Sequence, residues 1–202
     1  MFIQVIQGRA VDPGGIRRAA DRWLAELQPG ADGWLGSTAG VTDDGRFISV
    51  VRFESQEQAR RNSDRPEQGA WWREMSGHLA DAVFHDSSRV HVYQGGGSDD
   101  AGFVQVIQGH TDDMERLATV GRAQEQVLAR QAPHILGMTV AEHADRPGDF
   151  TQTVYFTTEE EARRFERDHP AESDAASAEI FSLLSDLRYH DLRTPWLQSP
   201  GG

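Results

Sequence analysis

Phe2-Ile3-Gln4-Val5-Ile6-Gln7-Gly8 opens the chain, and Phe103-Val104-Gln105-Val106-Ile107-Gln108-Gly109 restarts it, differing at one position of the seven. Each is a short run of β-branched and aromatic residues stopped by glycine, which reads as a strand. Recurrence at this distance marks an internal repeat. At the same offset Ile16 matches Leu117, Leu27 matches Leu128, and Leu35-Gly36 matches Leu136-Gly137. After a shift of two at a turn, Phe47, Val51 and Phe53 match Phe150, Val154 and Phe156. Ala59-Arg60-Arg61 matches Ala162-Arg163-Arg164, and Phe84-His85-Asp86 matches Tyr189-His190-Asp191. Slippage confined to turns predicts two diverged copies of one unit: a first repeat over 1–94, a linker over 95–102 rich in Gly, Ser and Asp, and a second repeat over 103–198.

One unit is read as follows. Phe2 to Gly8 is a strand. Asp12-Pro13 starts a helix, with Asp as N-cap and Pro at the first helical position. Ile16, Ala20, Trp23, Leu24 and Leu27 form its apolar stripe, and Pro29-Gly30 stops it. A hairpin turning at Asp43-Asp44-Gly45 joins strands 34–42 and 47–53. A helix from about 56 ends before Pro66, a second runs from about 67 to 78, and Val83 to Tyr93 is a closing strand with a weak point at Asp86-Ser87-Ser88. The second copy repeats this, with helices at 112–130, 158–168 and 171–186 and a closing strand at 187–194. The βαββαβ order predicts an α+β fold: a ferredoxin-like unit, with a four-stranded antiparallel sheet and both helices on one face. The other face needs cover, so the expectation is two repeats packed sheet to sheet as an intrachain dimeric α/β barrel.

The Ser63-Asp64-Arg65-Pro66-Glu67-Gln68 phrase, the Trp71-Trp72 pair and the restart at Phe103 resemble tandem proteins of the dimeric α/β-barrel superfamily, and within it the antibiotic biosynthesis monooxygenase-like domains. The resemblance implies a pocket in each unit. It also implies a cofactor-independent monooxygenase acting on aromatic or polyketide-like compounds, where the substrate anion itself reduces dioxygen. Two alternatives stand beside it: a non-catalytic small-ligand-binding or interaction module of the same fold, and a heme-binding or heme-degrading protein. The heme-degrading relatives use an Asn, a Trp and a His. The only Asn here is Asn62, outside the first strand. A fold shared by unrelated activities does not choose among these.

Composition narrows the chemistry. A net charge of −12, with arginines scattered over mixed-charge helices, argues against nucleic acid. With no Cys there is neither a disulfide nor a thiolate nucleophile, and with all 20 cationic residues Arg there is no Schiff-base lysine. No apolar run reaches the length of a membrane helix, and no leader precedes the first strand, so a cytoplasmic protein is expected. Histidine spacing suggests no metal site, and no cofactor is expected.

The candidate site residues follow from the repeat. Trp71, Trp72, His78 and Arg52 occur in the first copy only, their counterparts at Trp71, Trp72 and Arg52 being Ala176, Ser177 and Tyr155. Trp72 falls on the stripe with Met75 and Leu79. Trp71 and His78 lie seven apart along its edge, where a ring and an imidazole would suit an aromatic ligand. Gln4, repeated as Gln105, is an amide among apolar residues and either bridges sheets or orients a ligand. Arg52 would attract an anion if it faced a cavity. His78 and His85 are the candidate general bases. His85 and Asp86, adjacent on a strand, face opposite ways, so Asp86 is expected to close a turn and His85 to cap a strand end.

Overall fold

The computed structural model describes residues 1–169 and 174–200. Two compact units emerge: Met1–Ser88 together with the chain from Trp196, and Arg89–Pro195. The first unit contains β1 (Phe2–Ala10), α1 (Pro13–Arg22), β2 (Trp34–Val41), β3 (Arg46–Phe53), α2 (Gln56–Ser63), α3 (Pro66–Ser76) and β4 (Leu79–Ser87). The second contains β5 (Arg89–Tyr93), β6 (Phe103–His110), α4 (Met114–Gln131), β7 (Ile135–Glu142), β8 (Asp149–Phe156), α5 (Glu159–Asp168), α6 (Ala175–Ser182) and β9 (Ser185–Leu192). The last strand, β10 (Trp196–Gln198), returns to the first unit. The start of the expected 171–186 helix, residues 171–173, lies outside the described residues.

Both sheets are antiparallel and follow one plan, β10-β2-β3-β1-β4 and β5-β7-β8-β6-β9. Removing the first strand of each leaves the four-stranded ferredoxin-like order. The closing strand expected over 83–93 is interrupted within its weak point at Asp86-Ser87-Ser88, and only its membership of one sheet is corrected. It is two strands, broken at Ser88, and its second half joins the sheet of the following repeat. Likewise β10, beyond Pro195, pairs with β2. The units consequently do not follow the repeat boundaries. This exchange accounts for a glycine in both copies. A Cβ on Gly36 would meet the Gln198 carbonyl oxygen at 2.5 Å, and one on Gly137 would overlap the Gly96 carbonyl. Each exchanged segment passes directly over a position where no side chain fits.

Local signals set the elements. Asp12 accepts from the Gly15 N–H, and Ser55 and Thr158 cap α2 and α5 in the same way. The first helix departs from expectation at its C-terminal end. After Arg22 it widens into a π-turn over Trp23–Leu27 and closes with a 3-10 turn over Gln28–Gly30, whereas α4 runs unbroken for 18 residues. Alternation along the strands gives each sheet two buried faces. In the first unit Phe2, Phe47 and Phe53 face the helices, while Ile3, Val5, Ile48 and Val50 fill the other face.

Candidate functional site

The cavity of interest lies in the first unit, between its sheet and its helices, and encloses about 100 Å³. Its floor is Gln4 and Ile6 of β1 with Phe47, Ser49, Val51 and Phe53 of β3. These residues share one sheet face because the side chains alternate with period two. The π-turn brings in Trp23, β2 begins with Trp34, α3 contributes Trp71 and Trp72, and β10 supplies Trp196. The chain has five tryptophans, and all five line this cavity.

The rings are held individually. Trp23 and Trp34 meet edge to face at 5.3 Å, and Trp72 meets Phe84 likewise at 4.9 Å. The Trp23 Nε1–H donates to Gln68 Oε1 at 2.7 Å, and the Trp71 Nε1–H donates to the Ala19 carbonyl at 2.7 Å. Trp196 packs on Phe47 at 6.2 Å and lies under the Arg17 guanidinium at 5.1 Å. Trp34 differs. It is 4% exposed, and its Nε1–H is buried with no hydrogen-bond partner among the described residues.

Polar lining atoms come from the amides of Gln4, Asn62, Gln68 and Gln198 and the hydroxyls of Ser37, Ser49 and Ser63. Among the described residues, none that lines the cavity is ionisable. Asp86 stands one bond away, accepting from Gln4 Nε2 at 2.9 Å. It lies within β4 rather than closing a turn, as had been expected from the sequence. Asn62 Oδ1 accepts from Arg65 Nη1 at 3.0 Å.

The structure brings three of the expected site residues, Gln4, Trp71 and Trp72, to the cavity and places the other three elsewhere. Arg52 alternates with Val51 and Phe53, so its buried guanidinium belongs to the opposite sheet face. His85 pairs across from Val5 on that same opposite face, with its Nε2 3.5 Å from Gln7 Nε2. The expected rim pairing of Trp71 with His78 is corrected. Helix α3 ends at Ser76, so His78 turns away, its Nδ1 3.2 Å from Asp12 Oδ2 beside the start of α1. Histidine-ligated heme in this cavity would need an axial histidine that its lining does not contain.

The second unit carries different side chains at the equivalent positions. Gln105 donates to Glu166 at 2.8 Å and to Asp191 at 3.2 Å, and Arg163 joins both carboxylates. Aligned on their N-caps, α2 and α5 place Phe165 where Asn62 stands and Glu166 where Ser63 stands. Phe165 packs against the cluster of Phe103, Ile135 and Phe156. The repeated Gln therefore holds a strand-borne Asp in both units, and in the second unit a Glu and an Arg join that pair. Trp23, Trp34, Trp196 and Asn62 were missed from sequence. The available signal was that no tryptophan has a tryptophan counterpart in the other copy.

No protein-family model matches the sequence, and no curated protein matches it. Solved structures do. A proposed monooxygenase from Fusobacterium nucleatum subsp. nucleatum superposes with a TM-score of 0.77 at 6% identity, covering 100% of this chain and 95% of that one. A proposed monooxygenase from Lactobacillus acidophilus NCFM gives 0.70 at 12% identity, covering 98% and 99%. An anthrone oxidase-like protein gives 0.70 at 12% identity, covering 100% and 94%. At such identities the likeness is one of fold. By fold, then, the chain is a tandem of two ferredoxin-like units.

Proposed function

We propose that the first unit binds a small, uncharged aromatic molecule in the five-tryptophan cavity. The observation that carries this reading is the convergence of every indole in the chain on one cavity without an ionisable lining group. Aromatic walls with a few amides and hydroxyls suit a planar ligand with one or two polar atoms. An anion or cation entering would lose its hydration with no opposite charge to replace it. The enclosed 100 Å³ is smaller than the roughly 150 Å³ that accepts a benzene ring. A single ring is therefore the largest ligand to expect, and it enters only as the lining moves outward, with Trp196 on its three-residue strand as the wall that yields.

Cofactor-independent oxygenation is the second reading, favoured by the names of the full-length structural neighbours. In this cavity the lining provides no general base. The chemistry would fall to substrates that ionise readily, with Asp86 behind Gln4 as the carboxylate nearest in the hydrogen-bond chain. Calorimetric titration with acetophenone, benzoate and benzylammonium tests the primary reading. Acetophenone is expected to bind, with both ions at least about tenfold weaker. Equal binding of all three, or of none, would refute it.

A further inference from the structure

Gln4 of β1 has Val51 of β3 as its cross-strand partner on one side and Asp86 of β4 on the other. Its Nε2–H donates to Asp86 Oδ1 at 2.9 Å. A carboxylate accepts and does not donate, so this bond fixes which end of the amide faces β4. The carbonyl oxygen sits on the other side of the planar amide carbon, turned away from β4. That side is the cavity. Its floor is built from β1 and β3, α1, α2 and α3 stand opposite, and no described residue of β4 lines it. Gln4 is half-buried, and its Oε1 has no hydrogen-bond partner among the described residues. Nor is this oxygen among the unpartnered atoms closed off from water, so a water-sized group reaches it. Nearby donors in the lining are engaged elsewhere. The Ser63 hydroxyl donates to the Ala59 carbonyl at 3.0 Å, and the Trp23 and Trp71 N–H groups are each committed at 2.7 Å.

We propose that Gln4 is the specificity-determining residue of the cavity: its Oε1 accepts from a single O–H or N–H group carried on the ring of an uncharged aromatic ligand, and Asp86 is the positioning residue that presents it. This rests on the cavity being a ligand site and adds which ligands it selects. Without Asp86 the amide is free to turn end for end and offer its NH₂ group to an acceptor. With Asp86 in place the acceptor end is set before a ligand arrives, and the bond to the carboxylate polarises the amide and strengthens its oxygen as an acceptor. A ring that displaces water from Oε1 without bringing a donor leaves that oxygen unpaired, whereas a ring with the donor replaces the lost bond. A site that bonds a ligand group in this way rejects the analogue lacking it. The counterpart amide is used differently. Gln105 is 4% exposed and directs Nε2 to both Glu166 at 2.8 Å and Asp191 at 3.2 Å. Ser63 stands in the first unit where Glu166 stands in the second, too short to hold Gln4 in that manner.

The test uses phenol and toluene, which differ by a hydroxyl against a methyl group at nearly the same shape and are both uncharged at neutral pH. Dissociation constants are measured by calorimetry on the wild-type chain, on Gln4→Met, on Asp86→Asn and on Gln105→Met. Gln4→Met is expected to weaken phenol by about fivefold and not to weaken toluene. Asp86→Asn, which lies outside the lining and lets the Gln4 amide turn, is expected to weaken phenol by at least about twofold with toluene unchanged. A merely structural role for Asp86 would weaken both probes together. Gln105→Met serves as the control, since Gln105 is in the second unit and outside the cavity, and both affinities are expected to survive. If phenol binds Gln4→Met as tightly as wild type, or if both probes weaken equally, the role of Gln4 is overturned while the ligand site stands. If phenol binds Asp86→Asn as tightly as wild type, the positioning role of Asp86 is overturned. If neither probe binds wild type, the ligand site itself fails. Should Gln4→Met not fold, the split between the two probes in Asp86→Asn decides the matter.

Discussion

Asn62→Phe places in the first unit the residue type that the second unit carries at the equivalent position, Phe165. Asn62 is buried in the cavity lining and bonded to Arg65 Nη1 at 3.0 Å. Filling all of the roughly 100 Å³ would recover about 2.4 kcal/mol at about 24 cal/mol per Å³. The lost hydrogen bond costs about 1 kcal/mol. Arg65 is not stranded, since it keeps the Leu27 carbonyl at 3.0 Å and Glu67 at 2.9 Å. A ring filling most of the space therefore leaves a net gain of about 1 kcal/mol, or about 2–4 °C in melting temperature for a chain of this length. Scanning calorimetry reads the stability, and acetophenone titration reads the site. The expected variant is slightly more stable and binds at least about tenfold more weakly, as a site filled from within should. A variant that melts several degrees lower while retaining acetophenone would show that Asn62 does not border usable space.

Four further outcomes follow from the same geometry. His78→Ala is expected to leave acetophenone affinity within about twofold, because His78 sits against Asp12 rather than in the cavity; a larger loss by calorimetry would return His78 to the site. Trp196→Ala is expected to shift tryptophan emission to the red and weaken the probe, as it removes the wall packed on Phe47 and Arg17; unchanged emission and affinity would count against that wall. His110 has its pKa raised by hydrogen bonds to Asp149 and then Asp112. Its stabilisation is present below the ordinary histidine value of about 6.5 and is lost as pH rises through its own higher value. Histidine NMR titration should show that rise, and Asp149→Asn should reduce it; an unaltered His110 titration in the variant would contradict the assignment. Heme titration should give no Soret signature of a histidine-ligated iron in this cavity, and a ligated spectrum lost in a Trp72→Ala variant would contradict that.

The repeat made most of the fold legible. Phe2-Ile3-Gln4-Val5-Ile6-Gln7-Gly8 and its second copy fixed β1 and β6, and the Asp12-Pro13 cap and the 43–45 turn fell where they were read. The exchange of β5 and β10 was not legible, because strand pairing is a tertiary choice that local propensity does not encode. That one omission hid much of the site. Trp196 reads as part of the second copy and contributes to the first unit's cavity only through its pairing with Ala39. Trp71 and Trp72 were found because they lack counterparts, and Trp34 had the same signal but read as the start of a strand. The π-turn that positions Trp23 leaves no mark in a pattern with helical spacing. His78 misled for a physical reason. Seven-residue spacing implies a shared helix edge only while the helix continues, and α3 stops at Ser76.

The central claim is that the five-tryptophan cavity is a binding site for an uncharged aromatic molecule. Nitrogen-15 heteronuclear NMR of the indole N–H resonances during acetophenone titration tests it most directly, since each of the five reports on the same cavity. The account predicts saturable shifts across the indole set, with backbone amides of Arg89–Pro195 essentially still. Indole resonances that stay in place at saturating probe, or shifts concentrated in Arg89–Pro195, would contradict it.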